Sequence, residues 1–112
     1  MLEGNAEGWN HGNRIHFGNL ILGRIALLER NIEGAKSRLV AAGETPGSPQ
    51  LNSFGPDMTL ARELLAHGEA DVVLEYLSLC SEFWELDRGK LERWTAQIKE
   101  GKAPDFGRSL RF

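Results

Sequence analysis

Few side chains here are of the kinds that perform chemistry, and their spacing limits what they can do. His11 and His16 lie five apart, which does not put them on one face of a helix. A polar surface position, or a hydrogen bond to a neighbouring helix, suits them better than a metal ion, so no metal ligand and no cofactor is expected. The single cysteine, Cys80, rules out an intramolecular disulfide and a cysteine-based zinc cluster. It falls in an apolar helical run, which marks a buried, inert thiol and not a nucleophile. Gly4, Gly8 and Gly12 have neither a preceding strand nor a Gly-Lys-Ser/Thr ending, so they form no phosphate loop. Asp105, Phe106 and Gly107 match a kinase metal-binding triplet, but the glycine-rich loop, strand lysine and catalytic loop that give it meaning are missing. The acidic residues fall mostly on exposed helix faces and the third histidine, His67, on a helix end. Nothing converges in sequence on a nucleophile with its base or on facing carboxylates, and no catalysis is expected.

One charged residue does stand out. Arg24 interrupts an otherwise apolar segment, and a guanidinium there must reach water or an anion such as a partner's carboxylate. Its stem covering the core with a solvated head satisfies the same requirement.

The elements that must position these residues are all helical. With 112 residues the chain is one domain with a real core. A net charge of −3, with both signs interspersed, leaves no basic footprint for nucleic acid. The longest apolar run, residues 20–28, is broken by Gly23 and Arg24 and falls short of the roughly 20 residues a membrane span needs. No membrane association is expected, and a cytoplasmic location follows by default.

Residues 1–13, with three glycines among polar neighbours, read as a flexible lead-in capped by Asn13. Helices are expected at about 14–29 and 32–42, separated by Arg30-Asn31, with Ile32, Ala35, Leu39 and Ala42 at steps of 3, 4 and 3. Residues 43–55 hold Pro46 and Pro49 and read as a packed loop anchored by Leu51 and Phe54. Pro56-Asp57 opens a helix to about residue 66. An aromatic helix over 69–84 and an amphipathic one over 88–100 follow, with Leu91, Trp94 and Ile98 on one face. The tail, 103–112, carries Phe106, Leu110 and Phe112, and either folds back or is captured by another molecule.

Gly23 and Ala26 on the first helix and Ala35 on the second are small where two backbones would meet. With Leu22-Gly23, Ala26, Ala35 and Leu39 at the matching positions, the stretch 19–42 resembles the tetratricopeptide repeat, although Asn19 and Gly47 stand where that family has Trp and Pro. The segment near Leu64-Leu65 and His67-Gly68 aligns with Leu27-Leu28 and Arg30-Asn31 at an offset of 37, against a family period of about 34. Thr59, Leu60 and Glu63 depart from the pattern. The resemblance implies an all-α fold of two antiparallel helical hairpins stacked as a short right-handed α-solenoid, closed by a C-terminal capping helix over 88–100. It also implies a protein-binding adaptor whose partner segment meets the first helix of each hairpin, at Phe17, Leu20, Arg24, Leu27 and Arg62. The competing expectation is a structural or oligomerising module, a homodimer or the C-terminal domain of a larger regulatory protein, because arrays usually want at least three repeats.

Overall fold

The computed structural model describes residues 2–110, which form six α-helices and one 3-10 turn with no strand among the described residues. The helices are α1 (Leu2–Leu28), α2 (Ile32–Gly43), α3 (Pro49–Phe54), α4 (Thr59–Ala66), α5 (Ala70–Cys80) and α6 (Lys90–Lys99), followed by the turn Gly107–Ser109. Helix α2 occupies the centre, packed most extensively on α1 and next on α5, and α6 covers α5.

Small residues explain the tight α1/α2 pair. A Cβ placed on Gly23 would lie 2.4 Å from a methyl of Leu60 and 3.0 Å from the Cβ of Arg38. Ala35 on the facing helix is fully buried. Glycine inside a helix costs about 1 kcal/mol relative to alanine, and the close approach of α1 to α2 and α4 offsets it. Around this contact Leu20, Leu39, Leu51, Leu60, Leu64, Val73, Tyr76 and Leu77 form one core, each at most 1% exposed. Each such leucine contributes about 1.5–3 kcal/mol. The core continues into Trp84, Trp94 and Phe106, whose rings meet at centroid distances of 5.9 Å (Trp84 to Trp94) and 5.0 Å (Trp94 to Phe106).

Three helix ends share one geometry. At the end of α1 the Asn31 N–H donates to Ala26 O (2.8 Å) and the Arg30 N–H to Leu27 O (3.0 Å). At the end of α4 Glu69 donates to Leu64 O and Gly68 to Leu65 O, and at the end of α6 Lys102 donates to Gln97 O and Gly101 to Ile98 O. These are Schellman caps, each turning on a left-handed residue: Arg30 (φ 63°), Gly68 (φ 80°) and Gly101 (φ 83°). The left-handed residue at the first corner is Arg30, a non-glycine residue. Asn31 instead caps α2, its side chain accepting the Gly34 N–H at 2.9 Å.

Several expectations are corrected. Helix α1 begins at Leu2, so residues 2–13 are helical and Asn13 lies inside the helix. The reason is tertiary. A Cβ on Gly12 would sit 1.9 Å from Gly47 O, so glycine there lets the helix lie against the loop. The Thr45 hydroxyl donates to Gly12 O (2.7 Å) and the Ser48 hydroxyl to Asn13 Oδ1 (2.7 Å). The loop itself contains α3, with Ser48 as its N-cap and Pro49 at its first position. Leu51 anchors it as expected, but Phe54 is 70% exposed. Helix α4 starts at Thr59, whose N–H the Asp57 carboxylate accepts at 2.8 Å. Helix α5 stops at Cys80; the carbonyl of Asn52 accepts the N–H groups of Glu85 and Leu86 and draws the chain off the helical path, while Phe83 and Trp84 stay buried. Helix α6 lies within the expected 88–100, with the Asp87 carboxylate accepting the Leu91 N–H at 3.2 Å. The tail folds back through buried Phe106, and Ser109 O accepts the Met58 N–H at 2.7 Å; Phe112 lies outside the described residues.

Candidate functional site

One histidine and the only cysteine of the described residues are locked in the interior. His16 is fully buried. Its Nδ1 lies 3.1 Å from Ala42 O and its Nε2 accepts the Asp57 N–H at 3.0 Å, which assigns the neutral ring with the proton on Nδ1. The Tyr76 hydroxyl donates to Asp57 O at 2.7 Å, and the Tyr76 ring stacks on His16 at a centroid distance of 6.4 Å. This cluster ties α1, the end of α2, the start of α4 and α5 together. Its ring nitrogens are engaged with backbone groups out of reach of a solvent-borne substrate, so its contribution is to packing. Cys80 is also fully buried, and desolvation pushes its thiol well above the ordinary range. Among the described residues no group of three His, Cys, Asp or Glu side chains converges as a metal site would require, and no helix is long and apolar enough to cross a membrane.

The five residues expected to meet a partner do not form one surface. Leu20 is fully buried and belongs to the core; the same helical spacing that put it on a binding face puts it against α2. Phe17 and Leu27 are half-buried and pack on that core, with the Phe17 ring edge-on to His16 at 4.8 Å. Arg24 finds its anion within the chain, its Nε 2.9 Å from Glu63 Oε1 and Nη2 3.4 Å from Oε2. With side chains 38% and 33% exposed, the pair contributes at most about 1 kcal/mol. Arg24, Leu27, Leu28, Glu63 and His67 line a cleft of about 240 Å³ between α1 and α4. Arg62 faces elsewhere: the next residue on a helix is turned by about 100°, and Arg62 is an exposed lining residue of a separate 290 Å³ cleft with Leu65, Ile98 and Phe106. On the α2 side Lys36 bridges Glu69 (3.1 Å) and Glu33 (3.2 Å), and its ammonium is held above its ordinary range by the hydrogen bond to Glu69 first and Glu33 second.

What the sequence reading missed is the outer face of α1. Ile21 (49% exposed), Leu22 (45%), Ile25 (46%) and Leu28 (85%) form an apolar stripe of large side chains left in water. They are contiguous because 21, 25 and 28 advance by 4 and 3 along the helix, with 22 alongside. The buried residues 16, 20 and 23 advance by 4 and 3 on the other side. The signal lay in the composition of 20–28, where large apolar side chains fall on both faces of the helix, more than one neighbouring layer can cover. A contiguous exposed apolar stripe needs an explanation that singly exposed apolar residues do not.

Comparison with known protein families, curated proteins and solved structures returns no match for this chain.

Proposed function

We propose that this chain is a non-catalytic, tetratricopeptide-like interaction module that holds another protein on the outer face of its first helix. The observation that carries this reading is the stripe Ile21, Leu22, Ile25 and Leu28, four large apolar side chains on one exposed helix face. Two facts support the repeat character. The left-handed corners Arg30, Gly68 and Gly101 are 38 and 33 residues apart, either side of the family's period of about 34, and all three close the same hydrogen-bonded cap. On this reading α6 is the first helix of a third, truncated unit and closes the core with its polar outer face, as terminal elements of such arrays do. The burial of His16 and Cys80 supports a binding role over a catalytic one.

Site-specific crosslinking tests this. A photo-reactive amino acid at position 25 should give a discrete protein adduct in the source cell that disappears with Leu22→Asp. The same amino acid at exposed Glu75 on α5 should not give it. No adduct from position 25, or the same adduct from position 75, removes the reading.

A further inference from the structure

We infer that the occupant of this face is a second copy of the same chain, paired antiparallel along α1. The inference rests on the interaction reading above and names its partner.

Three observations lead there. The first is spacing. Gly18, Ile21, Ile25 and Leu28 follow one another at steps of 3, 4 and 3, the alternation of three and four that keeps a seam turned toward another helix over successive turns. An extended peptide has no use for that period, whereas a helix of matching period fits it. The second is room. A Cβ at Gly18 would meet nothing within 4 Å, so the N-terminal half of the seam is open to a close neighbour. The third is charge. The seam is bounded by Arg14 at one end and Glu29 at the other, both exposed and about 22 Å apart along the axis at 1.5 Å per residue. Two copies run parallel would set Arg14 against Arg14 and Glu29 against Glu29. Run antiparallel about a two-fold axis, Ile21 lies opposite the partner's Ile25 and Gly18 opposite the partner's Leu28. That register brings Arg14 within one helical turn of the partner's Glu29, twice over. A self-complementary surface of this sort is what an isologous two-fold contact requires.

The seam is short, so the dimer forms and dissociates in the micromolar range instead of being obligate. Sedimentation equilibrium from about 1 to about 300 µM should show a mass rising with concentration from the 12.5 kDa monomer toward twice that value. Ile25→Asp and, independently, Leu28→Asp should remain monomeric over the whole range with unchanged helical circular dichroism. Arg14→Glu and Glu29→Arg should each weaken dimerisation about tenfold, and the double variant should recover to within about threefold of the wild type. A wild type monomeric at every concentration overturns the inference, as does a dimer indifferent to both aspartates. Single charge variants that dimerise as well as wild type overturn the antiparallel arrangement, because a parallel pair is insensitive to either change alone. A crosslink from position 25 to a different protein, with a monomeric wild type, ends the self-pairing while leaving the interaction reading in place. A wild type that is monomeric and gives no crosslink ends both.

Discussion

The two faces of α1 both carry glycine and leucine and have opposite fates. Toward the rest of the fold lie Gly12, His16, Leu20 and Gly23, all buried; away from it lie Gly18, Ile21, Leu22, Ile25 and Leu28, none of them buried. Hydrophobicity does not distinguish them, since the outer face has more large apolar side chains than the inner one. What separates them is whether a specific neighbour exists. The inner glycines sit where a backbone or side chain would collide with a Cβ, and the inner histidine sits where an N–H and a carbonyl need partners. On the outer face Gly18 has nothing near it. The same helix thus shows a surface specified by contacts beside one that the other described residues leave exposed.

The largest test of this contrast removes one apolar side chain from each face. Leu20→Ala should cost about 3 kcal/mol, because it leaves a cavity in a fully packed core. Ile25→Ala, from a site 46% exposed, should cost less than about 0.5 kcal/mol in the monomer. Chemical denaturation followed by circular dichroism reads both, and comparable losses would show that the outer face is packed after all. A second, smaller pair uses glycine. Gly12→Ala should destabilise by about 2 kcal/mol, since its methyl would meet Gly47 O, a backbone atom with little freedom to retreat. Gly18→Ala should instead raise stability by about 0.5–1 kcal/mol, the helix propensity gained with no clash. Opposite signs at two glycines six residues apart are hard to obtain any other way.

The same contrast marks how far the sequence could be read. The hairpin at 19–42 was legible because it is local: the small residues, the stop near Arg30 and the 3-4-3 spacing of Ile32, Ala35, Leu39 and Ala42 are all visible in one stretch. The last helix was legible for the same reason, its buried Leu91, Trp94 and Ile98 lying on one stripe. The N-terminal helix was not. Three glycines read as flexible until the loop that accepts Gly12 is in view, and that loop is 33 residues away at Thr45. The His16 and Asp57 contact spans 41 residues, and no local pattern announces it. Among the candidate binding residues, Leu20 was misjudged because an apolar residue on a helix looks alike whether its neighbour is the core or water. Arg24 was read as needing either water or an anion such as a partner's carboxylate, and the carboxylate it meets belongs to the chain itself, at Glu63.

The smallest expected effect belongs to neither face and so controls for both. Arg30 ends α1 in the left-handed region at φ 63°, where the other two Schellman corners carry Gly68 and Gly101. A side chain in that conformation costs roughly 1–2 kcal/mol relative to its preferred backbone, through the approach of Cβ to the following carbonyl. Glycine removes that strain but gives back some stability through the greater freedom of the unfolded chain. The net expectation for Arg30→Gly is a gain of about 0.5 kcal/mol, seen as a higher denaturation midpoint with an unchanged slope. Arg30 is exposed and lies beyond the Ile21 to Leu28 stripe, so self-association should be unaltered. If stability rises and dimerisation holds, the corner and the seam are independent features of α1. If dimerisation falls as well, the seam extends past Leu28 into the corner, and the outer face is longer than its apolar residues show.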